Sequence, residues 1–136
     1  MLSTLLVSLL FVLYTDNPQT PIEWNNNDTD KINWITLDEA VAKAKKKDKL
    51  LLIDFYTDWC GWCKKLDANT YTDPQVIKYV NEHFYAVKIN AEQKEDIRFN
   101  DKVYSFKSNG GRGTNDFAVM YAARNGRLGY PTTSFI

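Results

Sequence analysis

The sequence predicts an α/β fold, with helices packed on a sheet. Three observations carry that prediction. Leu50–Tyr56 is a short apolar run ending in aromatic residues, the signature of a buried central strand. It leads at once into a helical stretch that opens with Cys60-Gly61-Trp62-Cys63. Helix start signals at Thr36 and at Asp73-Pro74 stand on either side of it, and a second strand-like run, Tyr85–Asn90, follows.

In chain order, residues 1–14 are nearly all apolar but shorter than the roughly 20 residues that span a bilayer. They read as the hydrophobic part of a secretory signal, or as a membrane anchor. No Lys or Arg precedes the run and no small-x-small cleavage site follows it. Residues 15–30, with Pro18, Pro21 and Asn25-Asn26-Asn27-Asp28, read as a linker, and a single domain occupies 31–136. Ile32–Ile35 is the first candidate edge strand. Thr36-Leu37-Asp38-Glu39 is a capping box, and Leu37, Ala40, Val41 and Ala44 make one apolar helical face. Lys43, Lys45, Lys46, Lys47 and Lys49 cluster where cations suit a helix end; a solvated terminus explains them better than a binding patch.

Beyond the cysteines, the helix is expected to continue through Lys64–Tyr71. Asp73 then caps a further helix with Pro74 at its first position and Val76, Ile77, Val80 and Phe84 as its stripe. His83, the one histidine, falls at that helix's far end, a surface or packing position. Residues 91–113 read as an insertion. Val103-Tyr104-Ser105-Phe106 alternates like a strand or hairpin arm, and Ser108–Gly113 reads as a flexible turn. Its glycines lack the strand and Lys-Ser/Thr helix start of a phosphate loop. Thr114–Arg124 is expected to be helical, with Phe117, Met120 and Tyr121 inward and Asn125-Gly126 stopping it. Thr132–Ile136 begins another strand.

The chemistry lies at Cys60 and Cys63. Two intervening residues let one helical turn bring the sulfurs within bonding reach. The unpaired N–H groups of the helix start point at Cys60, and the macrodipole favours its thiolate, the nucleophile of disulfide exchange. Cys63, one turn on, is expected to be more buried and to resolve the mixed disulfide formed at Cys60. A purely structural disulfide is a poor alternative, because so short a loop adds little chain-entropy stabilisation. Zinc is poorer still, since two Cys and one His cannot close a four-ligand site. Asp54, in an apolar strand, is costly to bury without a partner or a role, and burial should raise its pKa. The bland alternative is a strand-end aspartate bonded to a neighbouring helix.

The stretch Asp54-Phe55-Tyr56-Thr57-Asp58-Trp59-Cys60-Gly61-Trp62-Cys63-Lys64, with Lys88-Ile89-Asn90 and Tyr130-Pro131-Thr132, resembles the thioredoxin superfamily. The resemblance covers roughly residues 32–136, with Gly61-Trp62 in place of the usual Gly-Pro. It implies a thioredoxin-like fold, a central mixed sheet flanked by helices, and one more strand and helix than this sequence contains, which suggests a fragment. It also implies that Asp54 assists proton transfer at Cys63. Pro131 is expected to be cis, in a loop beside the disulfide. Tyr130, Pro131 and Thr132 would then shape a groove whose backbone edge takes an extended substrate segment. Trp59 is expected to pack beneath the motif and Trp62 to stand exposed against a protein substrate. Trp62 brings no positive charge to the thiolate, so a reducing or neutral poise is expected.

Seventeen basic and seventeen acidic residues cancel, which gives no case for nucleic acid. The expected function is thiol–disulfide exchange in an exported, periplasmic or membrane-anchored setting. Its partners would be protein thiols and disulfides, with an electron donor or acceptor protein upstream. No cofactor is expected beyond the Cys60–Cys63 disulfide, and no metal. The rival is a binding or assembly module that keeps the fold for docking, with residues 91–113 as its surface.

Overall fold

A computed structural model of the protein describes residues 30–136. The expected signal or anchor, 1–14, and all of the expected linker but Asp30 lie outside the described residues. The elements in chain order are α1 (Leu37–Ala44), β1 (Leu50–Tyr56), α2 (Gly61–Asn69), α3 (Pro74–His83) and β2 (Phe84–Asn90). Then come β3 (Ile97–Phe99), β4 (Lys102–Tyr104), β5 (Phe106–Asn109), β6 (Arg112–Asn115), α4 (Asp116–Ala122) and β7 (Thr132–Phe135).

The architecture is mixed α/β around a three-stranded sheet in the order β2-β1-β7. β2 runs parallel to β1, with Leu50 opposite Phe84 and Tyr56 opposite Asn90. β7 runs antiparallel, with Asp54 opposite Thr133. The period of two in β1 divides the core between the two faces. Leu51, Ile53 and Phe55 meet Leu37 and Ala40 of α1 and Phe117, Ala118 and Ala122 of α4. Leu52, on the opposite face, meets Ile77 and Val80 of α3. Burial on both faces is why β1 reads as an unbroken apolar run. Phe117 is fully buried, and its ring lies 5.8 Å from Phe55, 5.5 Å from Phe99, 5.3 Å from Tyr104 and 4.7 Å from Tyr121.

Helix starts follow their chemistry. Thr36 Oγ1 accepts from the Glu39 N–H at 3.2 Å, and the Glu39 carboxylate pairs with Lys43 at 3.3 Å. Asp73 Oδ1 accepts from the N–H groups of Gln75 and Val76 at 2.8 and 3.1 Å. Pro74 stands where its missing N–H costs nothing.

Several expectations are corrected. Ile32–Ile35 is not a strand, and only Trp34 bridges to Ala86. The Ile35 N–H donates to Ala86 O at 2.9 Å, but the Trp34 N–H folds back to Ile32 O at 3.0 Å and the Asn33 N–H goes to Asn81 Oδ1 at 2.9 Å, so the pairing stops at that single bridge. The 91–113 segment forms two hairpins rather than one arm and a loose turn. β3 pairs with β4 across Asn100 and Asp101, both at positive φ, and β5 pairs with β6 across Gly110-Gly111. Val103–Phe106 is therefore divided between them, and Ser108, Asn109, Arg112 and Gly113 are ladder residues.

α4 begins at Asp116, not Thr114, because Thr114 and Asn115 belong to β6 and Asn115 Oδ1 caps the Phe117 N–H at 3.0 Å. Its inward face is Phe117, Ala118, Tyr121 and Ala122, while Met120 is 60% exposed. Two alanines let the short helix sit close to the sheet, and that turns Met120 outward. Asn125 and Gly126, with φ of 52° and 73°, form a tight turn beyond the helix. Arg124 and Arg127 exchange N–H···O bonds of 2.9 and 3.0 Å across it, which is hairpin chemistry rather than a helix cap.

Candidate functional site

The site stands where β1 ends and α2 begins. Cys60 is the N-cap of α2 and has extended backbone angles. Its N–H donates to Thr57 O at 3.1 Å, and its Sγ accepts from the Cys63 N–H at 3.0 Å. A sulfur therefore takes the place that a Ser or Asp oxygen fills at other helix starts, and the helix dipole acts on it. Cys60 and Cys63 are joined as a disulfide, with Cα atoms 5.3 Å apart. Cys63 was expected to be the more buried of the two. Both retain 4% of their surface, because the bond ties the cap sulfur down to the residue one turn in. At Gly61 an added Cβ would meet nothing within 4 Å, so the motif is open to solvent on that side.

A charged cluster joins β1, β2 and α2. Asp54 is 1% exposed, and its Oδ2 accepts from Lys88 Nζ at 2.9 Å; register places the two residues directly opposite on β1 and β2. Lys88 also pairs with Asp67 Oδ1 of α2 at 2.5 Å. Its ammonium lies 4.9 Å from the Trp34 ring centroid, 5.4 Å from Tyr56 and 5.5 Å from Tyr71. Burial pushes the Asp54 pKa above its usual range, outweighing the Lys88 partner that pulls it down. Lys88 is held above its ordinary value, because the carboxylates of Asp67 and Asp54 outweigh its own burial. Among the described residues the buried Asp54 Oδ1 has no hydrogen-bond partner within reach, and neither has the buried Thr57 hydroxyl. Asp54 thus pairs with Lys88 of the neighbouring strand, and the Tyr71 hydroxyl beyond α2 also acts on its carboxylate.

The rim is aromatic. The Tyr130–Pro131 peptide bond is cis, and Thr132 Oγ1 donates to Gly129 O at 2.7 Å behind it. Trp59 was expected beneath the motif but is 51% exposed. It is held at the surface by three groups. The indole Nε1–H donates to Glu92 Oε1 at 3.0 Å, the Arg112 guanidinium lies 4.6 Å over the ring, and Tyr130 meets it edge-on at 6.1 Å. Tyr130's pKa is raised by burial and then by the Glu92 charge. Trp62 is 70% exposed, with Lys65 Nζ 4.5 Å over its ring. His83 lies away from this rim, its ring 4.4 Å from Tyr79.

The structure therefore gathers Cys60 and Cys63 with Trp59, Tyr130 and the cis-proline loop. Sequence reading missed Asp67, Glu92 and Arg112. Asp67 was within reach, since it stands four residues after Cys63 on the same helix face. Glu92 and Arg112 carry no local signal, for Glu92 comes near Trp59 through the pairing of β2 with β1 and Arg112 through the β5–β6 hairpin. Among the described residues no group of three metal-ligating side chains occurs, and no helix is long and apolar enough to cross a membrane.

A Cys-x-x-Cys disulfide at a strand-to-helix junction, on a mixed sheet with helices on both faces, defines a thioredoxin-like protein. The chain belongs to the family Thioredox_DsbH, described as "Protein of unknown function, DUF255", whose model matches residues 17–130. It is 39% identical over 64 residues to the thiol:disulfide interchange protein DsbD 1 of Pseudomonas aeruginosa, covering 47% of this chain and 10% of that one. It is 42% identical over 67 residues to Thioredoxin-T of Drosophila melanogaster, covering 45% of this chain and 36% of that one. The chain thus spans a minor part of these curated relatives. Among solved structures, a thioredoxin from Thermus thermophilus aligns over 62% of this chain and 72% of its own, with TM-score 0.44 and 15% identity.

Proposed function

We propose that this protein exchanges disulfides with protein substrates through Cys60 and Cys63, in the reducing or isomerising direction and in an exported compartment. The observation that carries this reading is the helix-start amide of Cys63 donating to Cys60 Sγ at 3.0 Å. After reduction the same N–H and the helix dipole would stabilise a Cys60 thiolate.

In the reductive direction the Cys60 thiolate attacks one sulfur of a substrate disulfide. A Cys60–substrate disulfide forms, and the other substrate sulfur leaves as a thiolate that takes a proton from water. Cys63 loses its proton, attacks Cys60 Sγ, and expels the second substrate thiolate. Two electrons have passed to the substrate, and the protein ends as the disulfide seen here. Asp54 is the group proposed to take the Cys63 proton. Its raised pKa suits it to a proton acceptor, and Oδ1, without a partner among the described residues, offers the lone pair. Lys88 steadies the carboxylate from its other oxygen. The Tyr130-Pro131-Thr132 loop would hold the substrate segment by its backbone. A dithiol protein upstream would return the pair to its reduced form. Export is supported by the apolar run at 1–14.

The test is trapping. In Cys63→Ser, Cys60 should accumulate mixed disulfides with proteins that run as adducts on non-reducing gels and collapse with dithiothreitol; Cys60→Ser should give none. Equal adducts in both variants, or none in either, would refute exchange. One observation favours a docking module instead: Cys60 keeps only 4% of its surface. The same pair of variants decides between the readings, because a module without turnover traps nothing.

A further inference from the structure

The two exposed indoles that flank the disulfide each carry a cation on one face. Arg112 lies 4.6 Å over Trp59, and Lys65 lies 4.5 Å over Trp62. Neither cation has an ion pair among the described residues. The nearby carboxylates have hydrogen-bond partners: Glu92 accepts from the Trp59 indole and Asp58 from Asn90 Nδ2 at 3.3 Å. A guanidinium stacked on a ring keeps its N–H edge free for a carboxylate, and stacking removes much of the freedom it would otherwise lose on binding. The chain as a whole is neutral, so these unpaired cations are a local feature of the rim and not a general basicity.

Arg112 comes from outside the strand–helix unit that carries the sulfurs. β6 brings it to Trp59, and the β5–β6 hairpin is fixed by a glycine. A Cβ at Gly113 would lie 2.5 Å from Lys107 O and 2.1 Å from Phe106 Cζ, so the two strands meet more closely there than a side chain allows. Phe106 covers that glycine, and next to it Arg112 is directed at the residue preceding Cys60.

We propose that Arg112, with Lys65 on the other side, reads acidic residues beside the reactive cysteine of the substrate. The substrate class is then proteins whose exchanging cysteine has Asp or Glu within two residues. The inference rests on the exchange reaction proposed above and names its selectivity.

The probe is a set of short peptide disulfides, identical except for Asp, Asn or Lys beside the cysteine, reduced by the dithiothreitol-reduced protein after removal of dithiothreitol. In wild type at low salt the Asp peptide should react about three- to five-fold faster than the Asn peptide, the yield of a partly exposed ion pair. Raising the salt should erase the difference. Arg112→Gln should bring the ratio close to one, and Arg112→Glu should shift preference to the Lys peptide. Lys65→Gln should lower the ratio by less, lacking the planar fork. No discrimination in wild type would overturn this inference alone. So would an Arg112→Gln variant that slows all three peptides by one factor, since that marks an effect on Cys60 itself. A wild type that reduces none of the peptides, and traps nothing as Cys63→Ser, overturns the exchange reaction and this inference with it.

Discussion

Replacing Gly113 with alanine tests whether the hairpin that carries Arg112 is held as described. The added methyl would meet Phe106 Cζ at 2.1 Å, Phe106 Cε2 at 2.6 Å and Lys107 O at 2.5 Å. The ring can turn aside. The carbonyl cannot move so freely, because Lys107 is paired in register with Thr114. Cβ contacts under 3.0 Å are essentially never seen, so the strands must part by at least about half an ångström. Overpacking costs about 1–3 kcal/mol, and a backbone obstacle places this case in the upper half. At about 4–8 °C per kcal/mol, the melting midpoint should drop by about 10–20 °C. The assay is thermal unfolding followed by circular dichroism, with Gly129→Ala alongside. Gly129 has nothing within 4 Å of its added Cβ, so that variant should melt at or slightly above wild type. Trp59 should report the displaced hairpin through altered indole fluorescence. A Gly113→Ala protein melting within about 2 °C of wild type, with unchanged fluorescence, would refute the close strand contact and the placement of Arg112 that depends on it.

Two further outcomes are expected. Phe117→Ala removes a fully buried ring that touches four aromatic neighbours and should cost about 3–5 kcal/mol, read as a lower denaturant midpoint with little change in slope; a loss under about 1 kcal/mol would place the core elsewhere. Asp54 has a native pKa raised above that of the unfolded chain, so the native state binds its proton more tightly and stability falls as pH climbs from the ordinary carboxylate range through the raised value. Asp54→Asn should flatten that fall, measured as urea midpoints across about pH 4–8, and should shift the pH dependence of Cys63 reactivity. Identical pH profiles for wild type and variant would contradict both the burial cost and the proton-transfer role.

Much of this molecule was readable from its residues, and the reasons differ by region. β1 appeared with its observed bounds because burial on both faces leaves an uninterrupted apolar run. α1 and α3 announced themselves through Thr36 and Asp73-Pro74, whose capping chemistry is local. The Cys60–Cys63 pair was legible because spacing alone fixes its geometry. Reading failed where long-range pairing decides. Ser108–Gly113 looked like a loose turn, since only the cross-strand partner shows that Gly113 sits under Phe106. Asn125-Gly126 looked like a helix stop, although Ala123 had already left the helix with ψ of 133° and the pair served a hairpin turn. Trp59 was placed beneath the motif because the groups that hold it out, Glu92 and Arg112, lie 33 and 53 positions away along the chain.

The two hairpins between β2 and α4 carry a consequence for how such a chain can diversify. In the proposed reaction the electrons pass through sulfurs on one continuous stretch of backbone, while Arg112, the residue proposed to choose among clients, is borne on a separate arm clasped to the rest by Trp59 and by the start of α4. On that reading, drift at the exposed Arg112 would retarget the protein to new clients and leave its affinity for electrons untouched, while Gly113 and the buried Asn115 hold the arm in place.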